Sequence, residues 1–130
     1  MRILALEGDY SVYRFDPDRD IPGSLLAGSG FRSVTRTDQE LSVVARTGAL
    51  RGAPREEAGW TLWMVQGPLD FGLLGVLSSI TGPLAAAGVS VFAVSTFDTD
   101  YILWKKDRAG EAVRALREAG FEVEGSARFL

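Results

Sequence analysis

Residues 60–104 read WTLWMVQGPLDFGLLGVLSSITGPLAAAGVSVFAVSTFDTDYILW, and the spacing of their apolar side chains sets most of the architecture. Residues 60–66 are apolar at nearly every position, as in a strand covered on both faces. From 72 to 87 the period changes. Leu73, Leu77, Ile80, Leu84 and Ala87 recur at helical intervals and form one stripe. Gly75, Ser79, Gly82 and Ala86 make a second face of small residues, onto which another backbone can approach. Pro83 removes the bond to the Ser79 carbonyl, so a bend or restart is expected there, and Gly88 supplies a left-handed stop. Residues 89–96 and 100–104 then read as strands paired around Phe97-Asp98-Thr99.

Outward from this stretch, Asp107 is a candidate cap for a last helix that buries Ala109, Ala112, Val113 and Leu116. Gly120 ends that helix, and residues 121–124 form a last strand. The order strand, helix, strand, strand, helix, strand predicts an α+β fold built on the ferredoxin-like βαββαβ unit.

Toward the N-terminus the chain reads as short strands. Residues 2–6 and 10–15 suggest a hairpin about Gly8-Asp9, which Asp16-Pro17-Asp18 stops. Residues 22–28 have room for a turn or two of helix. Residues 31–37 and 40–47 predict a second hairpin around Asp38-Gln39. The segment 48–59 lacks a period. The expected organisation is therefore an N-terminal half over 1–50, a linker over 51–59 and a C-terminal domain over 60–130. At an offset of sixty residues, Ala27, Gly28, Val34 and Asp38 coincide with Ala87, Gly88, Val94 and Asp98, and Glu40 falls on Asp100. The first half thus reads as a degenerate, strand-rich copy of the second.

Composition narrows the function. The 130 residues contain no Cys and no His, which removes thiolate chemistry, the usual neutral-pH general base and most zinc sites. Fourteen basic residues stand against seventeen acidic ones, without the basic stripe of a nucleic-acid binder. No dinucleotide or phosphate-loop motif occurs, so neither an enzyme nor a cofactor is expected. Residues 71–97 carry no charge, but their glycines, Pro83, hydroxyls and change of period argue against a membrane span. The N-terminus shows no secretion signal, and a cytoplasmic protein is expected.

Residues 67–104, and above all Ser95-Thr96-Phe97-Asp98-Thr99-Asp100-Tyr101, resemble the small ACT-domain proteins related to the CASTOR arginine sensors; Thr37-Asp38-Gln39-Glu40-Leu41-Ser42 is similar to the family's weaker N-terminal counterpart. The resemblance implies two ACT modules per chain, binding of a free amino acid near a module interface, and a homodimer that restores a four-module arrangement. It also implies that Asp100 and the helix entrance around Gly72 meet the ligand.

The residues suit that chemistry. Backbone N–H groups at Asp70, Phe71, Gly72 and Leu73 can hold a carboxylate at a positive helix end. Asp98 or Asp100 can hold the ammonium, Ser95 and Thr96 add hydroxyls, and Phe97 can wall off an aliphatic side chain. Each has a plainer alternative: Asp70 as a helix cap, Asp98 as a turn residue, Asp100 as surface charge, Gly72 as a packing site. Two carboxylates favour a cationic side chain such as arginine, unless one is taken by the ammonium. A ligand-free oligomerisation module is the competing expectation.

Overall fold

In a computed structural model, residues 1–66 and 75–125 are described. The chain divides into a larger unit, residues 1–7 with the chain from Trp60 onward, and a smaller unit, Gly8–Gly59. Strands β1 (Arg2–Phe15), β2 (Ser33–Arg36), β3 (Leu41–Arg46) and β4 (Arg55–Val65) are followed by helix α1 (Val76–Ala86). Strands β5 (Val91–Ser95) and β6 (Asp100–Lys105), helix α2 (Ala109–Glu118) and strand β7 (Glu122–Glu124) complete the order.

The larger unit contains the expected βαββαβ series as β4, α1, β5, β6, α2 and β7. Its sheet order is β7-β1-β4-β6-β5, so the start of β1 lies between β7 and β4. Arg2, Ile3 and Leu4 pair in parallel with Glu122, Val123 and Glu124, and the Gln66 N–H donates to the Arg2 carbonyl at 2.9 Å. The core lies between this sheet and the helices. Ile3, Trp63, Val65, Ile102, Trp104 and Val123 pack with Ile80 and Leu84 of α1 and with all four expected buried positions of α2. Leu77 and Ala87 are half-buried against the same cluster.

β1 corrects the hairpin expected about Gly8-Asp9. It is one strand of 14 residues. Its second half pairs with β3, Tyr10 opposite Arg46 through Phe15 opposite Leu41. A Gly-Asp pair is a turn signal only when the flanking segments have each other as best partners. Here β3 and β7 supply the ladders, and Gly8 passes through the strand at φ +115°. β4 likewise begins at Arg55, inside the segment read as aperiodic.

α1 runs through Pro83 without a restart. Ser79, whose carbonyl loses its donor, is exposed, so water can satisfy it. Both helices end as expected at left-handed glycines: the Gly88 and Val89 N–H groups return to Ala85 and Leu84, and those of Gly120 and Phe121 return to Arg117 and Leu116.

Asp107 does not cap α2. It lies in a 3-10 turn, Lys106–Arg108, and α2 starts at Ala109 with no side-chain cap. Arg108 does a different job: its guanidinium donates to the Ala87 and Gly88 carbonyls at 3.3 and 3.2 Å, satisfying the C-terminal end of α1. It also donates to Glu111 at 2.9 Å, which holds that carboxyl below its ordinary pKa. Arg108→Ala is expected to lower stability by about 1 kcal/mol, read as a lower urea midpoint at unchanged m.

The smaller unit is built on β2-β3-β1. The expected second hairpin is present, Ser33 opposite Val44 through Arg36 opposite Leu41. The helical allowance at 22–28 is a 3-10 turn, Gly23–Leu26. Tyr13, Phe15, Leu25, Leu41, Val43 and Ala45 form its core. The Tyr13 hydroxyl donates to the Arg46 carbonyl at 2.8 Å and accepts from the Gly48 N–H at 3.1 Å.

Candidate functional site

The β5–β6 turn carries most of the expected site residues that fall within the described chain. Ser95 pairs with Asp100 at the end of the ladder, and the Ser95 hydroxyl donates to Asp100 Oδ1 at 2.6 Å. Ala93 opposite Ile102 and Val91 opposite Trp104 continue the same face of this hairpin. Because Ile102 and Trp104 belong to the helix-covered core, Ser95 and Asp100 lie on that face, at its rim.

The turn is braced from within. The Thr96 N–H donates to the Thr99 carbonyl at 2.8 Å, the Thr96 hydroxyl donates to the same carbonyl at 3.0 Å, and the Thr99 N–H returns to Thr96 Oγ1 at 3.3 Å. Thr99 is buried, and its hydroxyl donates to the Val65 carbonyl. Val65 is the last residue of β4, so the turn is fastened to the end from which the chain leaves for α1. Asp98 is exposed at the tip, and Phe97 is 81% exposed. Asp70, Phe71, Gly72 and Leu73 lie outside the described residues. The structure thus brings Ser95, Thr96 and Asp100 together with a residue the sequence reading passed over, Thr99. A Thr three residues after another Thr at a strand end was its only signal. Thr99→Val should cost roughly 1 kcal/mol through the lost hydroxyl donation, seen as a small drop in Tm.

The same device recurs in the smaller unit. The Thr37 N–H donates to the Glu40 carbonyl at 2.9 Å, and the Gln39 and Glu40 N–H groups donate to Thr37 Oγ1 at 3.1 and 3.2 Å. The two turns therefore correspond as Thr37 with Thr96, an offset of fifty-nine residues and not the sixty read from identities. A one-residue slip exchanges the faces of every strand residue. Leu41, not Glu40, holds the place of Asp100, so the smaller unit's turn lacks that carboxylate.

Among the described residues no group of three or more Asp or Glu side chains could hold a metal ion, and no helix is long and apolar enough to cross a membrane.

A ferredoxin-like unit with a braced acidic turn on its helix-covered face defines the class. Residues 55–118 match the family model described as the ACT domain, residues 8–50 match a second model described as an N-terminal domain, and the chain therefore carries an ACT domain. Over 59 residues, 45% of this chain, it is 37% identical to the cytosolic arginine sensor for mTORC1 subunit 1 of Homo sapiens. The match spans only 18% of that protein's length. The crystal structure of an Agobacterium tumefaciens protein aligns with a TM-score of 0.87 at 33% identity, covering 96% of this chain and 92% of that one. A structure of aspartokinase α and β subunits aligns at 0.64 with 16% identity, over 92% of this chain and 97% of that one, which is a likeness of fold.

Proposed function

We propose that the chain is a regulatory module that binds a free amino acid, is not itself a catalyst, and works in the cytoplasm as a homodimer. The observation that carries this reading is the Ser95–Asp100 pair, fixed on the helix-covered face at the end where β4 leads toward α1. One lobe of the Asp100 carboxylate accepts from Ser95; the other is the ammonium acceptor. Backbone N–H groups at Asp70, Phe71, Gly72 and Leu73 receive the ligand carboxylate. Thr96 and Asp98 flank the pair, and Phe97 covers the ligand's side chain when a second copy closes over the turn. The resemblance to an arginine sensor makes arginine the first ligand to try, followed by other polar amino acids.

Thermal melting against each of the twenty amino acids tests this. A ligand at a hundredfold its Kd adds about 2.7 kcal/mol, which for a domain of this size raises Tm by roughly 10 °C. Asp100→Asn keeps the Ser95 bond and removes the charge, so it should abolish the shift and leave the unliganded Tm unchanged. If no amino acid moves the melting curve, the reading fails.

A specific observation favours the second reading, an oligomerisation module without ligand. β5 is an edge strand without charge, and among the described residues nothing lies within 4 Å of a Cβ added at Gly75 or Gly82. Such an edge invites a partner strand. Light scattering would find a dimer under either reading, so ligand-dependent melting separates them.

A further inference from the structure

The smaller unit holds a groove of about 510 Å³, a size suited to a small metabolite. Four of the chain's fourteen basic residues line it, Arg19, Arg32, Arg46 and Arg51, in a protein of net charge −3. Among the described residues that line it there is no carboxylate; Asp20 lines the adjoining cleft instead. Gathering like charges without an acid is unfavourable until an anion enters.

The arginines have separate tasks. Arg32 is committed to the wall: its guanidinium donates to the Leu25, Ala27, Ser29 and Gly30 carbonyls, which shapes the 25–30 loop. Arg19 lies over the Phe15 ring at 4.8 Å, and the Arg36 guanidinium steadies its loop by donating to the Arg19 carbonyl at 2.7 Å. Arg46 lies 5.9 Å from the Tyr10 ring centroid. A Cβ on Gly8 would come within 3.0 Å of Arg46 Cζ, so that glycine leaves room for the guanidinium. Ring stacking holds these planes in place before any ligand arrives. Leu25, Phe31 and Leu50 supply an apolar wall beside the charge.

We propose that this groove binds a phosphomonoester of a small organic molecule. Phosphate geometry matches the guanidinium fork, and the apolar wall takes the ester's organic part. The site lies wholly in the smaller unit and is independent of the amino-acid reading.

Titration calorimetry on the full chain with phenyl phosphate and with inorganic phosphate, at matched ionic strength, is the test. Phenyl phosphate should bind at least about tenfold tighter than phosphate, and Arg51→Gln or the R46Q/R51Q pair should weaken it by a similar factor. Amide NMR shifts in the wild-type chain should centre on Ser29, Phe31 and Leu50, which keeps the test decisive if the double variant does not fold. Asp100→Asn should leave this binding intact. Absence of saturable binding, equal affinity for the two probes, or binding that survives R51Q and R46Q/R51Q would each overturn the assignment.

Discussion

Trp63→Ala is expected to remove about 3–5 kcal/mol of stability, a large part of the roughly 5–15 kcal/mol a domain possesses. Trp63 is fully buried and stacks on Trp104 with ring centroids 4.5 Å apart. Its indole N–H donates to Thr61 Oγ1 at 2.8 Å, and that hydroxyl donates onward to the Trp104 carbonyl at 2.9 Å. The alanine variant loses the apolar burial, the ring contact and the donor of this chain at once, and leaves a cavity between sheet and helices. Urea unfolding should show a much lower midpoint or no cooperative transition. Thr61→Val keeps the volume and removes both the acceptor of the indole N–H and the donor to the Trp104 carbonyl, so it should cost less, about 1–3 kcal/mol. Equal losses in the two variants would mean that hydrogen bonding, not burial, dominates this part of the core.

Gly125→Ala is the second large effect expected, roughly 1–3 kcal/mol of destabilisation. An added Cβ at Gly125 would sit 2.6 Å from the Ala5 Cβ and 3.4 Å from the Trp63 ring. Ala5 has no rotamer to change, so relief requires β1 or the chain beyond β7 to move. Because β7 holds only Glu122, Val123 and Glu124, the displacement should loosen its pairing with Arg2, Ile3 and Leu4. Hydrogen exchange should therefore rise first at those amides. Ala5→Gly in the same chain should restore part of the loss, since it removes the obstructing methyl. A double variant no more stable than Gly125→Ala would show that the contact is not the cause.

Much of the larger unit was legible because its elements are amphipathic with a clear period. Ala109, Ala112, Val113 and Leu116 share one face of a helix whatever surrounds them, and the structure buries all four. The three tryptophans are buried as well. β1 was not legible, because a Gly-Asp pair between two apolar segments has the local chemistry of a turn, and only the partners on each side tell it from a strand that runs straight through. The repeat was legible in kind but not in register. Identities at four positions outweighed the hydrogen-bond pattern of Thr37 and Thr96, which is a property of backbone geometry. In the candidate site, Ser95, Thr96 and Asp100 were visible as polar residues at a strand end. Thr99 was not, since an anchoring hydroxyl looks like any other until its acceptor, the Val65 carbonyl, is in place.

The sequence by itself determined the presence of both helices, their glycine stops, the acidic turn and the βαββαβ order, all of which follow from interactions between residues close along the chain. It did not fix the start of α1, which lies at Val76 behind a left-handed Gly75 and not near Gly72. Tertiary structure alone decided that the first strand enters the sheet between β7 and β4, and that Arg19, Arg32, Arg46 and Arg51 line one groove. Strand order depends on which distant segments bury the most surface together, and convergence of side chains depends on the path of the loops between them. Neither leaves a period or a local pattern to be read.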